Sequence, residues 1–215
     1  MIESRTRLRA ARGIAKSETE AAIEAFERLK SRRGHPHSPP PIVSDGWGGY
    51  DEAMIEVWGR VPEYRGRGRP PTKKRPQADW RQYLQMVKQR ENGRVIGVKA
   101  KTIYGDEREV VNKLSGGSTS YVERTNLTSR HINGRLVRKT LGYSKELKML
   151  RASSIWEDVV YNFGRALKTL RVESMASDDK RHWIGRSPAM AAGLTEHVWE
   201  IEELLTVLPL PSTNS

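Results

Sequence analysis

The chain has 215 residues, ample for a domain with a real core, and no cysteine, which excludes disulfides, thiolate zinc sites and thiol nucleophiles. Lys and Arg outnumber Asp and Glu by 38 to 26, a formal net charge of +12 that points to a polyanionic partner, nucleic acid before membrane. No apolar run approaches the roughly 18 residues of a membrane span, and the basic, polar N-terminus shows no signal peptide, so a cytoplasmic protein is expected.

In chain order, Arg5, Arg7 and Arg9 alternate with Thr6, Leu8 and Ala10, a period of two that predicts a half-buried strand. Ser17 and Glu20 form a capping box, with Ala22, Ile23, Phe26 and Leu29 as the apolar stripe of the helix behind it. Residues 34–41, rich in proline, predict a loop; His35 and His37 within it have metal-ligand chemistry but no companion cluster. Pro41 to Gly46 reads as a short apolar strand ending in Asp45. Trp47 to Trp58 then reads as a helix with Tyr50, Met54, Val57 and Trp58 as core contacts. An aspartate at the carboxyl end of a buried strand sits where open α/β sheets gather ligands. An Asx-turn leading into the next helix is the alternative.

Residues 60–76 form a Gly/Pro/Arg-rich connector in which Glu63 is the single acid. It contains Arg67-Gly68-Arg69-Pro70, which resembles the core of an AT-hook, an extended arginine tripod suited to a narrow minor groove. A flexible loop making electrostatic contact with DNA is the alternative. From Tyr83 to Tyr104, two β-rich runs flank Glu91-Asn92-Gly93 and predict a hairpin that extends a sheet. Residues 106–117 read as a connection into a helix carrying Glu123. Trp156, Val159, Val160, Phe163, Leu167 and Leu170 recur at helical spacing and predict a core helix. A polar insertion, 173–186, then precedes Ser187-Pro188-Ala189-Met190, a short tail helix ending near Leu205, and a frayed end from Pro209.

Glu123 heads a strongly basic run: Arg124, Arg130, Arg135, Arg138, Lys139, Lys145, Lys148 and Arg151 follow it, with Glu146 the single acid among them. On a helix, Glu123 and Arg130 project about 20° apart, with Asn126 and Leu127 between them. Asp45 and Glu123 could share hard divalent ions, since Mg²⁺ keeps several waters and needs few protein carboxylates. A solvated Glu123 paired with Arg124 or Arg130 is the alternative.

The segment from Tyr121 to Arg130 (Tyr-Val-Glu-Arg-Thr-Asn-Leu-Thr-Ser-Arg), with Arg135 to Thr140 and Tyr143-Ser144-Lys145, resembles the central block of insertion-sequence transposases of the DDE class. Tyr161-Asn162-Phe163, Lys168 to Arg171, Ser187 to Thr195 and the Val43-Ser44-Asp45-Gly46 segment with Tyr50 are similar to further blocks of that family. The resemblance implies an α/β fold, a ribonuclease H-like mixed sheet flanked by helices. That domain would cover 1–172 with its basic connector at 60–80, followed by the polar insertion at 173–186 and a C-terminal short helix and tail at 187–215. It further implies three carboxylates holding two Mg²⁺ or Mn²⁺ ions, which cut DNA at the element ends and join the 3′-hydroxyl to target DNA. Asp45 would be the second acid and Glu123 the third, both as metal ligands, with Asn126 and Arg130 facing the active site or the DNA end. Arg67, Arg69, Lys73, Lys74, Arg124, Arg135, Arg138 and Lys139 would join them in contacting DNA. The partners implied are element ends and target DNA, with a homo-oligomer as the active form and association with the nucleoid.

The family carries its first acid three residues before a Thr-Arg pair, which here places Glu3 in that position instead of Asp. Little chain precedes Glu3, so the first central strand is expected to be largely missing and the protein N-terminally truncated. Leu167 stands where the family shows His. A catalytically inactive, transposase-derived DNA-binding protein is the alternative function, and an RNA-associated basic protein a third.

Overall fold

The computed structural model describes residues 1–80, 82–114, 120–137, 139, 141–175 and 181–206. The chain forms two compact units, one from Met1 and Ala11–Arg124, the other from Ile2–Ala10 and Thr125 onward. The class is mixed α/β: a three-stranded mixed sheet, a separate two-stranded sheet, and helices.

The first unit begins with α1 (Glu18–Ser31), started where the capping box predicts, since Ser17 Oγ accepts from the Glu20 N–H at 3.2 Å. Glu18 and Glu20 in its first turn and Arg28 and Lys30 in its last complement the helix dipole. Strand β1 (Ile42–Asp45) runs into α2 (Gly49–Trp58), and β2 (Tyr83–Glu91) and β3 (Arg94–Tyr104) form the expected hairpin. Asn92 and Gly93 both have positive φ, 48° and 77°, the conformation that a two-residue hairpin turn requires and that this Asn-Gly pair tolerates. The sheet order is β1-β2-β3, with β1 parallel and β3 antiparallel to β2.

The core of this unit is aromatic. Phe26 of α1 meets Trp58 of α2 edge-on at 5.5 Å, and Trp80 meets Tyr104 at 5.1 Å; Tyr83 and Met54 complete the buried set. Each such side chain contributes about 1.5–3 kcal/mol on burial. The Tyr104 hydroxyl donates to Asp51 Oδ1. At Gly13 the backbone approaches α1 closely, because a Cβ there would stand 1.7 Å from the Ala21 carbonyl oxygen.

In the expected connection at 106–117, residues 106–114 do more than connect, and 115–117 lie outside the described residues. Asp106 Oδ1 accepts from the Glu109 N–H at 3.0 Å and starts α3 (Glu107–Leu114), whose Val110 is fully buried. The helix carrying Glu123 is α4 (Ser120–Ile132).

In the second unit, a 3₁₀ turn at Gly134–Leu136 precedes α5 (Leu147–Phe163). The predicted core helix is shorter than its spacing suggested, because it stops at Gly164; Leu167 and Leu170 belong to β4 (Leu167–Met175). The polar segment 173–186 holds the end of β4 and its antiparallel partner, β5 (Arg181–Arg186), while residues 176–180 lie outside the described residues. On its face, Arg171 lies over the Trp183 ring at 4.3 Å. Ser187 caps α6 (Pro188–Ala191), and α7 (Ile201–Thr206) ends as expected near Leu205. The stretch from Pro209 lies outside the described residues.

The N-terminal alternation does not produce a strand. Residues 4–6 turn, Arg7 takes a positive φ of 60°, and a single bridge joins Ile2 to Arg9. Arg9 is buried instead of sharing an exposed face with Arg5. Its guanidinium reaches Glu157 at 2.5 Å and Asp158 at 2.9 Å and lies 3.9 Å over the Tyr161 ring. The Asn162 side chain brackets the Arg9 backbone, accepting from its N–H at 2.9 Å and donating to its carbonyl at 3.1 Å.

Candidate nucleic-acid and metal site

Asp45 closes β1 at its carboxyl end. It is exposed, and its Oδ1 accepts from the Trp47 N–H at 3.3 Å, so the residue ends the strand and also makes the Asx-turn into α2. In a strand, successive side chains alternate between faces, and in-register parallel partners share one. Asp45 stands opposite Met86, which puts Asp45, Leu84, Met86 and Lys88 on one face and Tyr83 and Gln85 on the other. Lys88 Nζ pairs with Glu123 Oε1 at 3.1 Å. One strand spacing and two residues of rise separate the Asp45 and Lys88 backbones by roughly 8 Å. Glu123 of α4 thus pairs with a lysine on the sheet face from which Asp45 projects. Among the described residues, no hydrogen bond joins the two acids directly. The Lys88–Glu123 pair is about half exposed on both sides, so it contributes little stability, ~0.2–1 kcal/mol.

Two phenols stand near this end of the sheet. Burial, and then the negative charge of Asp45, raise the Tyr50 hydroxyl above its ordinary value. Burial raises Tyr83 in the same direction, against its hydrogen bonds with Ser44 at 2.9 Å and Gln85 at 3.0 Å. Both remain proton donors at neutral pH.

Glu3 is engaged differently. Its carboxylate accepts from the Arg5 N–H at 3.0 Å and from the Thr6 N–H and hydroxyl at 2.6 Å each. Partial burial works to raise its pKa, but these hydrogen bonds and the Arg5 charge together hold it below the usual carboxylate value. Its oxygens are committed to closing the turn at residues 4–6.

Asp45 and Glu123 carry hard carboxylate oxygens, the donor chemistry that Mg²⁺ and Mn²⁺ take, whereas both oxygens of Glu3 are engaged inside a turn. Within neither unit do three or more His, Asp or Glu side chains converge to hold a metal ion, among the described residues. His35 and His37 lie in the expected loop.

The basic candidates are mostly exposed. Arg67, Arg69 and Lys73 stand on the 60–76 loop, whose base is closed by the Arg60–Arg75 bridge. Lys74 is exposed but partly committed, donating to the carboxylate and carbonyl of Glu56 at 2.6 Å each. Arg124 and Asn126 are exposed on α4, and Arg130 is half-buried. Arg135 is exposed and donates to Ser144 Oγ at 3.0 Å, and Lys139 is exposed with a φ of 55°. Arg138 lies outside the described residues. The sequence reading missed Lys88, whose signal was its two-residue spacing from Met86 in a strand paired with Asp45. It also read Trp156 as core, whereas this ring is 39% exposed.

No family model, no curated protein and no solved structure matches this chain. No helix among the described residues is long and apolar enough to cross a membrane.

Proposed function

We propose that this protein is a DDE-type transposase that acts on the DNA of an insertion element through metal-dependent strand cleavage and transfer. The observation that carries the reading is the shared sheet face of Asp45 and Lys88, with Glu123 held at Lys88 by a 3.1 Å contact. Asp45 and Glu123 would hold Mg²⁺ or Mn²⁺, which supplies an activated water or hydroxyl and stabilises the leaving oxygen. The exposed Arg67, Arg69, Lys73, Arg124 and Arg135 would neutralise backbone phosphates, in keeping with the net charge of +12. In this reading the fold is ribonuclease H-like and the active form is a homo-oligomer on DNA.

A second reading, a catalytically inactive DNA-binding protein of transposase descent, is favoured by the engagement of Glu3. A first acid whose oxygens cap a turn leaves a two-acid set.

One experiment separates them. Incubated with labelled DNA and Mn²⁺, the protein is expected to nick or join strands, and Asp45→Asn or Glu123→Gln should abolish the products while DNA binding persists. Cleavage that continues in excess chelator would rule out the metal-dependent mechanism. Salt-sensitive binding with no cleavage, unaffected by either substitution, would establish the second reading.

A further inference from the structure

The second unit contains a cleft of about 680 Å³ between the end of α4, the 3₁₀ turn and α5, lined by Ile132, Asn133, Arg135, Tyr143 and Trp156 among others. Its size lies within the roughly 300–1,000 Å³ range of small-ligand sites.

Three features of the walls indicate what it takes. First, Asn133 is 7% exposed, and its amide is only half used. Its Oδ1 accepts from the Arg135 N–H at 3.1 Å, capping the turn, while its buried Nδ2 has no hydrogen-bond partner among the described residues. A buried donor left unpaired is costly, so this amide is open to an acceptor that the described residues do not supply. Second, two aromatic rings remain in solvent, Tyr143 at 61% and Trp156 at 39% exposure, beside the half-exposed Ile132. Third, the lining includes Arg135, whose guanidinium donates to Ser144 Oγ at 3.0 Å, and the carboxylate of Glu157, also on the lining, pairs with Arg9.

A flat apolar body, a carbonyl or ring-nitrogen acceptor and an attached anion together describe a nucleotide. We infer that this cleft binds one unpaired nucleotide at the end of a DNA strand, its base against the Tyr143 and Trp156 rings, its edge accepting from Asn133 and its phosphate on Arg135. The inference rests on the DNA reading above, and it adds a preference for frayed or single-stranded ends. Stacking on aromatic side chains is tolerant of sequence, so the cleft reads the unpaired state and not the base.

The test uses the full chain and fluorescence anisotropy with two short duplexes, one blunt and one bearing a three-nucleotide overhang. The overhang is expected to tighten binding about tenfold, the scale of one stacked base. Asn133→Asp keeps the capping oxygen and removes the unpartnered donor; Tyr143→Ala removes an exposed ring. Each should erase the overhang preference and leave blunt-duplex affinity unchanged. An iodouracil in the overhang should photo-crosslink to Tyr143 or Trp156. Equal affinity for the two duplexes, a preference that survives both substitutions, or crosslinks confined to the 60–76 loop would overturn the inference and leave the DNA reading standing. Failure to bind either duplex would remove both.

Discussion

Phe26, Trp58, Trp80 and Tyr83 hold the first unit together by apolar and aromatic burial, with ring pairs at 5–6 Å and a sheet laid against α1 and α2. The second unit buries a different kind of surface. The buried residues of α5 are Ser154, Glu157, Tyr161 and Asn162, and the last three receive Arg9, a charged residue with 6% of its surface exposed. Apolar packing rewards any side chain of suitable size, whereas an ion pair with bracketing amides rewards one partner in one position. The first unit is therefore built to be stable, and the second to hold the 2–10 segment in a single register.

Substituting Arg9 by Ala tests that difference most severely. Breaking a buried ion pair costs about 3–5 kcal/mol, and here the loss also removes a cation from beside both Glu157 and Asp158. Urea denaturation should show the drop, with the rise in amide exchange concentrated in α5. A loss below about 1 kcal/mol would mean that the pair is a surface-like contact and the contrast between the units is false. Replacing Arg9 by Met together with Glu157 by Gln should recover part of the stability.

Gly13→Ala tests the opposite claim, that the first unit depends on close packing. The new methyl would stand 1.7 Å from the Ala21 carbonyl oxygen and 2.9 Å from the Ala25 nitrogen, both backbone atoms of α1. Overpacking of this kind costs about 1–3 kcal/mol, measured as a lower denaturation midpoint. An unchanged midpoint would show that α1 has room to shift.

The gentlest test is alkaline. In the folded protein the phenols of Tyr50, Tyr83 and Tyr104 hold their protons more tightly than the ordinary value of 10.0; burial is the largest cause in each, joined at Tyr104 by the hydrogen bond to Asp51. Above that value the unfolded chain gives up protons that the folded chain retains, so stability is full below pH 10.0 and falls as the pH rises. Absorbance should show late-ionising tyrosines, and Tyr104→Phe should flatten the loss. Seven tyrosines all titrating as free phenols in the folded protein would contradict the buried aromatic core.

What could be read from the chain follows the range of the interactions. The Ser17 cap and the Asn92-Gly93 turn are decided within a few residues, and both stand where their signals put them. The start of α3 was equally local, since Asp106 caps it, and the acidic, polar segment concealed that signal. Helical spacing carried the α5 reading too far, because Leu167 and Leu170 keep the period by coincidence after Gly164 ends the helix. Arg9 was unreadable for another reason: its alternation with Thr6 and Leu8 is real, but its partners stand 148 and 149 residues away. The candidate acids divide in the same manner. Asp45 was marked by its own strand, while the pairing of Glu123 with Lys88 is a contact 35 residues distant.

The same separation has a consequence for synthesis. A ribosome adding about 5–20 residues per second delivers Glu157 roughly 7–30 seconds after Arg9 has left the peptidyl-transferase centre. Throughout that interval the 2–10 segment has none of its α5 partners, while α1, with its cap and its stripe, is already translated. The N-terminal end of this polypeptide is thus made among the first and seated among the last.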